Sequence, residues 1–94
     1  RDGEKAASGR ADQRPIGVQL ASLPSEEAAH EAWNTLRRKM PKLLDKRRPR
    51  YELFEHEGKT FWRLRTGSFA NNQEATTFCL RIRSGGGTCI VGRF

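Results

Sequence analysis

The stretch RYELFEHEGKTFWRLRT, residues 50–66, decides the fold. Two strand-like segments, 50–56 and 59–66, are separated only by Glu57-Gly58, a pair that reads as a hairpin turn. Pro49 precedes the first segment, and Gly67-Ser68 is expected to break the second. In the second segment Phe61, Trp62 and Leu64 are interleaved with Arg63 and Arg65, so a sheet with one apolar and one polar face is expected.

Outward from this hairpin, each side carries a helix and then a strand. Towards the N-terminus, Ala29, Ala32, Trp33, Leu36 and Met40 follow helical spacing. Ser25 caps that helix, Glu26 and Glu27 occupy its first turn, and Arg37, Arg38 and Lys39 its last. Pro41 ends the pattern, and Leu43-Leu44 make a short extra turn over the core edge. Before the helix, Ile16, Val18 and Leu20 alternate with Gly17, Gln19 and Ala21, which is a strand. Towards the C-terminus, Asn71 and Glu74 resemble a capping box, and Ala75, Phe78, Cys79 and Ile82 share one helical face. Gly85-Gly86-Gly87 stops this helix, and 88–94 form the last strand. The order is β-α-β-β-α-β, an α+β, ferredoxin-like (RNP-like) plan. A four-stranded antiparallel sheet is expected, with two helices on one face and the first and third strands central.

The 94 residues allow one domain with a thin core, since 35% are hydrophobic and 31% charged. Residues 1–14 show no apolar periodicity and read as a disordered linker before a domain at 15–94. The chain starts at Arg1 without an initiator Met and reads as a piece of a larger protein. No apolar run reaches the ~20 residues a membrane span needs, so any anchor lies upstream. The net charge of +7 points to an anionic or polar polymer as partner. Eight cations against Asp45 fall within 37–50, which is either a solvated segment or a polymer-steering patch. Cys79 and Cys89 are too few for a structural zinc site and have no positioned base. They are either buried thiols or one disulfide. No paired carboxylate, metal set or nucleophile emerges, so neither catalysis nor a cofactor is expected.

Alternation sends Ile16, Val18, Leu20, Trp62, Leu64, Thr66, Cys89 and Val91 towards the helices. The open face then holds Gln19, Phe61, Arg63, Arg65 and Ile90, with Ser22 at the strand end. Forked polar groups beside apolar patches suit sugars, whose hydroxyls and C–H faces need both.

Four motifs carry a family resemblance. Val18-Gln19-Leu20-Ala21-Ser22-Leu23 resembles the opening strand of the sporulation-related repeat, the SPOR domain. The run from Trp62 to Phe69 resembles its third strand, with Thr66 and Ser68 departing from an apolar residue and Pro. Glu74-Ala75, Phe78-Cys79-Leu80, Gly86 and Cys89-Ile90-Val91 resemble its closing helix and strand, and Ala29, Ala32, Trp33 and Leu36 suit its first helix. The four occur in order with matching spacing over 16–94. The resemblance implies binding of peptidoglycan glycan strands that lack stem peptides, at the septum. It implies a monomer that works in the periplasm as the C-terminal domain of an exported or anchored protein, with other division or envelope proteins as further partners. The site it implies is Gln19, Ser22, Phe61, Arg63, Arg65 and Ile90. In that oxidising compartment a Cys79–Cys89 disulfide is expected.

Three other readings compete. An RNA-binding RRM-like module shares the plan, but 59–66 lack its basic-Gly-aromatic run, and no nucleic acid is expected. A wall-hydrolase fragment lacks catalytic groups. A protein-interaction domain using 37–50 is compatible with glycan binding.

Overall fold

The computed structural model describes residues 14–94. The linker expected at 1–14 lies, apart from Arg14, outside the described residues. Strand β1 (Ile16–Leu23) leads into helix α1 (Glu26–Lys39) and the short helix α2 (Pro41–Leu44). The hairpin β2 (Pro49–His56) and β3 (Lys59–Phe69) follows, then helix α3 (Asn72–Ser84) and strand β4 (Ile90–Arg93). The sheet order is β2-β3-β1-β4, and every neighbouring pair is antiparallel. The helices cover one face and the other is open. Among the described residues no helix is long and apolar enough to cross a membrane.

Local chemistry accounts for each boundary. Ser25 Oγ accepts from the Ala28 N–H and caps α1. Met40 closes α1 by donating to the Leu36 carbonyl, and Pro41 starts α2 at the one position where a missing N–H is harmless. Glu57 and Gly58 both have positive φ, 51° and 78°, as a two-residue hairpin turn requires. Asn71 Oδ1 accepts from Glu74 N–H at 2.8 Å, and Glu74 returns the bond to Ala70 N–H, one residue before the cap. At the other end of α3, Gly86 donates to Arg83 and Gly87 to Ile82, with Gly86 at φ 95°. That is a Schellman closure.

Two strand ends differ from the sequence expectation. β3 runs through Gly67-Ser68 to Phe69 instead of stopping at Thr66. Its Gly67 lies against Gly17 of β1, where a Cβ would meet Gly17 Cα at 3.1 Å. The glycine is therefore there for close strand approach, and it allows Phe69 to pair with Ile16 and reach the core. β4 is shorter than the expected 88–94. Beside its start, the Leu20 carbonyl accepts from Thr88 Oγ1 at 2.7 Å and the Cys89 carbonyl from Arg83 at 2.6 Å, so side chains hold this segment where ladder pairing has not begun.

The core lies between sheet and helices. Val18, Leu64, Leu44 and Ile82 are fully buried, with Leu20, Trp33, Phe69 and Phe78 close behind. Thr66, also buried, satisfies its hydroxyl on the Arg48 carbonyl at 2.8 Å. Tyr51 stacks on His30 at 3.9 Å between β2 and α1, and burial, then Glu26, pushes its pKa up. The basic run 37–50 is divided among several tasks. Arg37, Arg38 and Lys39 complement the C-terminus of α1, and Lys42 lies on α2. Arg47 lies 3.8 Å over Phe69 and 5.3 Å from Phe78, and donates to the Ser68 carbonyl. It covers the end of the core and is not a free surface charge. Arg47→Ala is expected to lower stability by about 1 kcal/mol in urea titration.

Cys79 of α3 and Cys89 before β4 are bonded to each other, closing a loop of sequence separation 10. The bridge ties the last strand to the last helix where β4 has only four residues. Replacing both cysteines by Ala is expected to destabilise the domain by about 2–4 kcal/mol, measured from urea midpoints with and without reductant. An equal response of both proteins to reductant would count against the bridge.

Candidate functional site

Strand pairing builds the open face in rows. Arg50, Arg65, Gln19 and Ile90 are successive cross-strand partners, one from each strand. Directly paired residues share a face, so this row crosses the whole sheet, a span of about 14 Å. A second row joins Glu52, Arg63 and Ser22, and a third pairs Phe54 with Phe61. All six residues expected at the site therefore lie on one face. Ile90 is the most exposed apolar residue there, at 59%.

The position of Ser22 depends on an irregularity. Plain alternation from Gln19 would turn Ser22 to the helices. The β1–β3 register shifts between Gln19 and Ala21, so Ala21 pairs with the buried Leu64 and Ser22 with Arg63. This is a bulge, and it returns Ser22 to the face that carries Gln19.

The two central arginines differ. Arg65 Nε donates to Gln19 Oε1 at 3.2 Å, Nη1 donates to Glu52 Oε1, and the guanidinium lies 4.0 Å over the Phe94 ring. Its side chain is only 12% exposed. Burial holds its pKa below the usual arginine value, with Glu52 opposing that shift and Arg63 and Arg50 adding to it. Glu52 also accepts from Arg50 at 2.8 Å. Arg63 instead lies 3.6 Å over Phe54, and its buried Nε finds no hydrogen-bond partner among the described residues. That Nε is sealed from solvent, so Arg63 can meet a ligand only through its Nη groups, whereas Nε and Nη1 of Arg65 are committed to Gln19 and Glu52.

A guanidinium has no acceptor, so Gln19 must turn its oxygen towards Arg65. The Gln19 amide NH2 is left to face outward. The pairing converts a side chain that can donate or accept into an oriented donor.

Glu52, Phe54 and Phe94 belong to this face and were not picked out from the sequence. The first two were within reach, because the two-residue turn places them opposite Arg63 and Phe61. Phe94 was not. It folds back over Gly92, where a Cβ would meet its ring at 2.7 Å, and donates its backbone N–H to Pro15. Among the described residues no three His, Cys, Asp or Glu side chains come together as a metal site.

The geometry defines a small α+β module with helices on one layer and an open, mixed polar and apolar sheet face on the other. The chain belongs to the SPOR domain family, whose model matches residues 12–92. Its fold is similar to the RlpA SPOR domain from Pseudomonas aeruginosa, at 15% identity and a TM-score of 0.67 over 84% of this chain and 99% of that one. It is also similar to the peptidoglycan binding domain of the B. subtilis cell wall lytic enzyme CwlC, at 16% identity and a TM-score of 0.58 over 85% and 89%. No curated protein sequence matches significantly.

Arg65→Lys keeps the charge but loses the planar fork that serves Gln19 and Glu52 together and the stack on Phe94. It is expected to lower stability by about 1–2 kcal/mol in thermal or urea unfolding. The Gln19 side-chain NH2 signals should also lose their fixed environment in NMR spectra. Unchanged Gln19 signals would show that Arg65 does not orient the amide.

Proposed function

We propose that this domain binds peptidoglycan through the open sheet face, and specifically glycan strands stripped of their stem peptides. It is a non-catalytic, monomeric module that directs its parent protein to the division septum in the periplasm. Membership of the SPOR family and the likeness to a peptidoglycan binding domain support the class of ligand. The Cys79–Cys89 bond suits an oxidising compartment.

One observation carries the finer reading: the cross-strand row with an oriented donor at Gln19 and an exposed apolar side chain at Ile90, beside Arg63, which pairs with no carboxylate among the described residues. Gln19 donates to an N-acetyl carbonyl or another sugar acceptor, Ser22 adds a hydroxyl at close range, and Ile90 and Phe61 rest against sugar C–H faces. Arg63 supplies the preference for stripped strands. An intact stem leaves an uncharged amide on the lactyl group, whereas removal of the stem leaves a carboxylate, which pairs with a guanidinium. Arg65 acts through Gln19 and does not touch the sugar. RNA fits less well, because Phe54 and Phe94 lie under guanidinium groups and do not offer bare rings to unpaired bases.

The test is retention on purified sacculi before and after amidase treatment. Retention should rise after treatment. Gln19→Glu places an acceptor and a charge where a donor stood, and should weaken retention about tenfold. Arg63→Gln should keep weak binding but lose the difference between treated and untreated sacculi. Equal retention of wild type on both would refute the preference for stripped strands, and no retention on either would refute glycan binding itself.

A further inference from the structure

The basic run and the helical layer contain a feature that the open sheet face does not use. Two adjoining depressions of about 420 and 410 Å³ lie along α2 and α3 and share Leu43 and Arg81. Together they make one furrow on the layer opposite the sheet face. Its floor is apolar, with Leu43, Met40, Pro41 and the edge of Phe78. Its rim is cationic, with Lys39, Lys42 and Arg81 exposed, and Arg47 at one end. The single acidic lining residue, Glu74, has one carboxylate oxygen engaged by the Ala70 N–H.

We infer that this furrow docks an acidic peptide segment of another protein, one that carries a bulky apolar side chain among Asp and Glu residues. Charge complementarity sets the sign of the partner: three exposed cations border the floor, and the one carboxylate there is already hydrogen bonded. The floor sets the class. Unpaired bases of a nucleic acid need open rings to stack on, and Phe78, the one aromatic lining residue, is buried. A lipid surface is met by protruding apolar side chains, whereas Leu43 and Met40 are half-buried, Phe78 is buried and only Pro41 is exposed. The chain's own segment 1–14 does not qualify, because its charges of both signs nearly cancel and it has no bulky apolar residue. Because the furrow and the sheet face lie on opposite layers, peptide and glycan bind without competing.

The experiment uses the full 94-residue chain, isotopically labelled, titrated with a synthetic peptide of Asp and Glu interrupted by Leu and Phe. Polyglutamate and phosphatidylglycerol vesicles are run beside it. The peptide should shift the amides of Leu43, Thr77, Phe78 and Arg81 and leave those of Gln19 and Arg63 in place. Lys42→Glu and Arg81→Glu, both on exposed positions, should each weaken the peptide about tenfold. Retention on amidase-treated sacculi should be unchanged in both. Thr77→Trp, which fills the furrow from α3, should abolish the shifts. Equal binding of polyglutamate would reduce the furrow to a charge patch and overturn the inference, as would shifts with vesicles alone or no shifts with the peptide. Failure of glycan retention leaves this inference standing, and the reverse also holds.

Discussion

The register of β1 against β3 is the constraint on which core and site both depend. β1 is central, paired on both edges, so its side chains have no freedom to choose a face. Ile16, Val18 and Leu20 must reach the helices. Were the alternation unbroken, Ser22 would follow them and Ala21 would face solvent. The shift between Gln19 and Ala21 sends Ala21 to Leu64 and returns Ser22 to the open face beside Arg63. A second shift, between Ile16 and Gly17, accompanies the close contact of Gly17 with Gly67 and brings Phe69 over the core. One strand's irregularities thus complete the apolar layer on one side and the polar row on the other.

This explains what the sequence could and could not reveal. Element order and core were legible, because periods of 2 and 3.6 are local signals. Val18, Leu20, Trp33, Ala75, Phe78 and Ile82 are all buried where their spacing put them. Ser22 was expected at the strand end of the open face, but the bulge that puts it there was not legible, since a bulge is set by pairing with residues some forty positions away and leaves no local mark. Gly67-Ser68 misled for a related reason. Glycine is a breaker in isolation, but here it is the residue that lets two backbones approach. The late start of β4 was equally invisible, because the side-chain bonds of Thr88 and Arg83 that hold the chain before it are tertiary contacts.

Net charge said little about how the cations are used. Arg47, Arg63 and Arg65 all lie over phenyl rings, which a planar, weakly hydrated guanidinium does well and an ammonium does poorly. At Arg47 the result is a cover for the core. At Arg65 it is control of a neighbour. Desolvated by Phe94 and held charged by Glu52, Arg65 has only donors to offer, and so it dictates which end of the Gln19 amide faces outward. The polarity of the site is therefore set from inside the sheet, before any ligand arrives.

Other cations are used differently: Arg50 donates to Glu52 and Arg83 to the Cys89 carbonyl, while three lie on the helical layer. Lys39, Lys42 and Arg81 border the furrow on the helical layer, across the domain from Gln19 and Arg63. At physiological salt, exposed charges are screened over about 8 Å, so these three contribute little to recognition on the sheet face. Their common placement around apolar side chains is more than general attraction to an anionic wall requires, because attraction alone needs no floor. A domain that holds a glycan on one layer and a peptide on the other would couple the location of the wall to the presence of a particular protein, with each layer free to vary without disturbing the other.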